Sequence, residues 1–181
     1  MYPKKSNWKR KLTTEEIKVC NKIKSKIIKK QKEKIGIATS EILRLMQGTP
    51  NFIGCFAEDQ LDFTLTSFPA YMIVNVDHSS LPGSHWIGLM VNRESIEVFD
   101  PLGFDIFNWS RVPCTLLSFV HHFSTHRKLI IHQRIQPDHS TLCGFYAMFF
   151  VLYRQHFSPS SLNLLFSCNL SKNDSRLIKL F

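Results

Sequence analysis

Apolar and polar positions alternate most clearly in the middle of the chain. Tyr71-Met72-Ile73-Val74-Asn75-Val76 is a β-branched run, Trp86-Ile87-Gly88-Leu89-Met90-Val91 a second and Ile96-Glu97-Val98-Phe99 a third. Residues 77–84 contain Pro82 and Gly83 and read as a turn, and residues 92–95 are short enough for a tight one. The three runs therefore predict a β-meander. Beyond them, residues 116–122 predict a helix, 129–132 another strand, and the Pro-free apolar run 143–153 a buried helix of about three turns.

Ahead of the meander, Thr13-Thr14-Glu15-Glu16 has the Thr cap and acidic first turn of a helix start. Ile17, Ile23, Ile27 and Ile28 then recur at roughly helical spacing among lysines until Gly36. Thr39-Ser40-Glu41 opens a shorter helix through Met46, stopped by Gly48-Thr49-Pro50, and residues 51–57 read as a loop or short strand. This order of elements gives an α+β class with a mainly antiparallel sheet flanked by helices.

Composition narrows the picture. With 181 residues, 44% apolar and 20% charged, the chain suits one compact domain plus an appendage, and fifteen Phe imply an aromatic-rich core. No run approaches the roughly 20 apolar residues that span a bilayer, and the polar start lacks a secretory signal pattern. Five scattered cysteines with no CxxC pair point to free thiols in a reducing, intracellular compartment, nucleus or cytoplasm. A monomer without membrane contact is expected.

Charge divides the chain. Residues 1–34 hold thirteen Lys/Arg against three Glu, whereas the rest is close to neutral. The reading is a basic arm over residues 1–36, partly helical or disordered, ahead of a domain over residues 37–181. A solvated or mobile arm is the plain interpretation. Nucleic-acid binding through Lys22, Lys26, Lys29 and Lys30 is the functional one.

Four features then converge. Gly83-Ser84-His85-Trp86 sets a histidine at the start of a strand, and Phe99-Asp100-Pro101-Leu102-Gly103 sets a carboxylate at the end of the next. Residues 136–144 place Cys143 at the start of the buried helix, with Gln136 seven residues before it. Antiparallel pairing brings His85 beside Asp100, so the carboxylate can fix the imidazole tautomer while the other ring nitrogen faces the thiol. A helix N-terminus and an adjacent imidazolium both favour a thiolate. The Gln136 amide and the Cys143 N–H can donate to an oxyanion, and Gly144 leaves room for backbone near a substrate. Each feature alone is ordinary: a Cys in an apolar helix is most often a small core residue. Asp77 and Asp138 are alternative carboxylates without the strand-end position. His122 and His126 are one helical turn apart but lack a third ligand nearby, so no metal is expected.

The same stretches resemble the adenovirus-type (adenain-like) cysteine endopeptidases, including relatives from virus-like DNA transposons, within the wider group of ubiquitin-like-protein proteases. The resemblance covers residues 39–158 and rests on Asn51-Phe52-Ile53-Gly54-Cys55-Phe56, Gly83-Ser84-His85-Trp86, Val98 to Phe104 and the 136–144 loop. It implies a circularly permuted papain-like fold, with His85 as base, Asp100 orienting it, Gln136 in the oxyanion hole and Cys143 as nucleophile. Trp86 and Gly144 belong to the same motifs. The implied activity is thioester-mediated cleavage of polypeptides without a cofactor, processing viral or mobile-element proteins, with DNA or a peptide as activator. The alternatives are a modifier protease, or a catalytically weak domain tethered to DNA. Thr125 stands where the adenoviral enzymes carry the cysteine that a peptide activator bonds.

Overall fold

The computed structural model describes residues 8–33, 35–103 and 112–181. Residues 1–7 of the expected arm and Phe104 of the resembling stretch lie outside the described residues. The chain is α+β, a five-stranded mixed sheet flanked by helices. Its elements in order are α1 (Thr14–Glu33), α2 (Thr39–Met46), β1 (Phe52–Ala57), β2 (Ala70–Asn75), β3 (Trp86–Val91), β4 (Ser95–Phe99), α3 (Cys114–Ser124), β5 (Lys128–Ile131), α4 (Cys143–Arg154), α5 (Pro159–Leu162) and α6 (Asn173–Leu180).

The strands lie in chain order across the sheet, and β2, β3 and β4 form the expected meander. The sheet is not mainly antiparallel, however, because β1 pairs parallel to β2 and β5 parallel to β4. Both outer strands are reached by long crossovers, through residues 58–69 and 100–127, and a crossover brings the chain back in the same direction where a tight turn reverses it.

Side chains of β2 and β3 alternate between two cores, as a period of two requires. Tyr71, Ile73, Trp86 and Met90 join the core built on α4, whereas Met72, Val74, Ile87, Leu89 and Val91 join the one under α3. Gly88 is the tight point of the first core, since a Cβ there would sit 2.5 Å from Cδ1 of Phe150. Phe150 stacks on Phe99 with centroids 4.9 Å apart. Helix α4 is buried along nearly its whole length, which explains an apolar run with no polar face.

The basic segment departs from expectation. Residues 8–12, ahead of the expected helix start, hold a 3-10 turn over Trp8–Lys11, with Trp8 and Leu12 buried. Helix α1 begins with the expected capping box: Thr13 Oγ1 accepts the Glu16 N–H at 3.2 Å and Glu16 Oε2 accepts the Thr13 N–H at 2.7 Å. One face of it is packed: Cys20, Ile23 and Ile27 enter the α4 core while Ile17 and Ile28 stay exposed. The helix packs against α2, α4 and α6. Lysines dominate the count but sit on the outer face, so the apolar stripe is only three residues wide.

Candidate active site

The order of strands explains the site. His85 immediately precedes β3 and Asp100 immediately follows β4; with Gly88 opposite Phe99, both flanking residues emerge at the same end of the sheet. Asp100 Oδ1 accepts from His85 Nε2 at 2.8 Å, and both residues are buried. The same oxygen accepts the Leu102 N–H at 2.8 Å, which locks the carboxylate into its own turn. Asp77 instead accepts the Ser84 N–H, and Asp138 pairs with Arg134, so neither competes for the imidazole.

The turn after Asp100 also seats Gln136. The Pro101 carbonyl accepts the N–H groups of Ile135 at 3.0 Å and Gln136 at 2.8 Å. Gln136 is 1% exposed, and its Nε2 donates to the Ser140 carbonyl at 2.7 Å. An amide nitrogen has two hydrogens, so one donor remains. Cys143 opens α4 and is 8% exposed. It lies beside the His85 side chain and acts on its proton affinity. Burial alone lowers an imidazole's pKa, but Asp100 and Cys143 outweigh it and push His85 up to about 9.

A cleft of about 400 Å³ joins these groups, lined also by Gly36, Ile37, Gly83, Ser84, Ser140 and Thr141. The structure thus brings His85, Asp100, Gln136 and Cys143 together. Trp86 lines the cleft as well and donates its indole N–H to the Ile37 carbonyl at 3.1 Å. Gly144 has a different role from the one expected. A Cβ there would lie 2.4 Å from Cγ2 of Ile37 and 3.1 Å from Cδ1 of Trp86. Its missing side chain admits the wall of the cleft, not a substrate.

The other thiols differ in setting. Burial pushes Cys20 up to about 11 and Cys55 up to about 12, and Cys114 and Cys168 are exposed. Among the described residues no group of three His, Cys, Asp or Glu side chains is placed to hold a metal, and His121, His122 and His126 are exposed.

Of the four lysines singled out, Lys26 and Lys30 pair with Glu41 of α2. Lys22 and Lys29 remain outward and, with Lys26 and Arg44, line an open groove of about 510 Å³ between α1 and α2.

Two networks escaped the sequence. Glu97, completely buried on β4, accepts from Arg154 Nε at 2.8 Å and from His132 Nε2 at 2.9 Å. Burial raises a carboxyl, but Arg154 and then His132 hold Glu97 below its ordinary value. This anchors the far end of α4 to the sheet. The second network joins Ser140, Tyr146 and Asp174. A single acid in a strand or at a helix start carries no sequence signal of either.

Among the described residues no helix is long and apolar enough to cross a membrane. No protein-family model matches the chain, and no curated protein matches it.

Proposed function

We propose that this chain is a cysteine endopeptidase with a circularly permuted papain-like arrangement, resembling the adenain-like enzymes. The observation that carries the reading is the buried line of Cys143, His85 and Asp100, opening on a cleft that also holds Gln136. An imidazole held by a carboxylate, with a thiol beside it, is the arrangement nucleophilic catalysis requires.

The chemistry follows from the geometry. The Cys143 proton passes to the His85 imidazole, and the sulfur attacks the scissile carbonyl carbon. As the C–S bond forms, the carbonyl pair moves onto oxygen, where the free Gln136 N–H and the Cys143 backbone N–H stabilise it. Collapse expels the amine, which takes the proton from His85, and leaves a thioester. Water, deprotonated by His85, then attacks the thioester, releasing the acid and restoring the thiol. Asp100 holds the ring's orientation and supports its positive charge throughout. No step calls for a cofactor.

The substrate is a polypeptide, of viral or mobile-element origin on the resemblance. The groove of Lys22, Lys26, Lys29 and Arg44 suits a DNA backbone, which binds through phosphate charge and weakens with salt.

A peptide library incubated with the protein and with its Cys143→Ala variant tests the reading, alongside iodoacetamide labelling at pH 6. Cleavage by the unaltered chain, none by Cys143→Ala, and selective alkylation of Cys143 are expected. Retained cleavage in the variant would end the proposal. Covalent capture of a propargyl-tagged ubiquitin-like modifier would redirect it to modifier processing.

A further inference from the structure

The loop from Gln136 to Cys143 is gripped by the first two residues of α6. Asn173, fully buried, donates Nδ2 to the carbonyls of Ile135 at 2.8 Å and Ser167 at 3.0 Å, and its Oδ1 accepts the Ser167 N–H at 2.7 Å. Asp174 Oδ1 accepts two hydroxyls, Ser140 Oγ at 3.0 Å and Tyr146 OH at 2.9 Å. Ser140 in turn accepts the Leu142 N–H on Oγ at 3.2 Å, and its carbonyl takes the Gln136 Nε2 donor at 2.7 Å. Tyr146 lies on the first turn of α4, three residues after Cys143. Burial and the neighbouring carboxylate raise its phenol pKa, so the hydroxyl stays a donor. One carboxylate oxygen thus spans both sources of the oxyanion donors, the Gln136 amide through Ser140 and the start of α4 through Tyr146.

We infer that Asp174, backed by Asn173, is a positioning residue that sets the aim of the oxyanion hole; this rests on the peptidase reading above. Asp174 is not among the residues that line the cleft. It acts on where the donors point, which matters for the charge that develops on oxygen and not for the nucleophilicity of the sulfur.

Two probes of Cys143 separate these effects in the full chain. With iodoacetamide the sulfur displaces iodide from a saturated carbon, and no oxyanion forms. With acetyl-Gly-Gly-glycinal the sulfur adds to the aldehyde carbon. The carbonyl pair becomes an oxyanion, which takes the His85 proton to give a hemithioacetal.

Asp174→Ala is expected to alkylate within about twofold of the unaltered rate while its aldehyde affinity falls on the order of tenfold. Asp174→Asn keeps the Oδ1 acceptor and should restore most of that affinity. Tyr146→Phe and Ser140→Ala each remove one donor and should fall between, which supplies a readout if Asp174→Ala fails to fold. Unchanged aldehyde affinity across folded variants overturns the inference and leaves the peptidase reading standing. Equal losses with both probes make Asp174 a general support and also overturn it. If the unaltered protein alkylates but does not bind the aldehyde, the hole is absent and the inference falls. If its Cys143 reacts with neither, the peptidase reading fails and takes the inference with it.

Discussion

Trp86 donates its indole N–H to the carbonyl of Ile37 at 3.1 Å, so strand β3 holds a segment that lines the cleft. Gly144 makes the approach possible. Gly144→Ala would place a methyl 2.4 Å from Cγ2 of Ile37, forcing the wall outward. A cost of about 1–3 kcal/mol is expected for such overpacking, read by urea unfolding. Peptidase activity should fall more than stability does, since the displaced wall belongs to the cleft; loss of stability alone would argue against that.

His85 carries a testable pH signature. Its pKa of about 9 lies above the ordinary 6.5, so its stabilising contribution is complete below about pH 6.5 and is lost as pH rises through 9. The alkaline limb of kcat/KM should sit near 9, where the proton needed by the leaving amine is lost. Asp100→Asn removes the carboxylate charge, so that limb should move to lower pH. Activity should drop by about tenfold, against the 10²–10⁴-fold typical of losing an acid–base group in His85→Ala. A limb that stays in place in Asp100→Asn would show that the carboxylate does not tune the ring.

Glu41 titrates in the opposite sense. Burial would raise its carboxyl, but Lys26 and Lys30 pull it down to about 2 from 4.5. Its contribution is therefore full above about pH 4.5 and disappears as pH falls through 2. Glu41→Gln should cost about 1–2 kcal/mol at pH 7 and only a small fraction of that at pH 2. Equal losses at both values by denaturant unfolding would contradict the pairing.

The buried Glu97 network predicts an asymmetry. Arg154→Met leaves the buried carboxylate of Glu97 with His132 but without its bidentate arginine and should cost about 3–5 kcal/mol, whereas Glu97→Leu combined with Arg154→Met should recover part of it. Thermal unfolding of the single and double variants checks this, and equal losses in the two would sink the account.

Helix α1 predicts that the basic segment is indispensable. Ile23→Ala and Ile27→Ala should each cost about 2–5 kcal/mol, the range for truncating a buried isoleucine. Deleting residues 1–34 should leave no cooperative unfolding transition. A folded, soluble deletion would restore the detached-arm description.

How far the sequence reached depends on the length scale of the cause. The meander was legible because β-branched runs and tight turns are local, and with it came the adjacency of His85 and Asp100. The direction of β1 and β5 was not, since long crossovers leave no mark on the strands they join. In α1 the helical spacing of Ile23 and Ile27 was legible, but which face is buried was not, because lysines surround them. At Gly144 the motif was visible but its occupant was not, because Ile37 reaches it across 107 residues of chain. Asp174 lies still further from the motif it braces.

Trp8 donates its indole N–H to the carbonyl of Leu180, a bond between residues 172 positions apart, and Ile23 and Ile27 share their core with Leu177 and Phe181. A ribosome releases the first of these partners long before the last. Helix α1 therefore cannot complete its packing on a chain still being made, and the wall that follows it, Gly36 and Ile37, cannot settle over Cys143. On the peptidase reading, a complete site therefore waits for the last helix to be made.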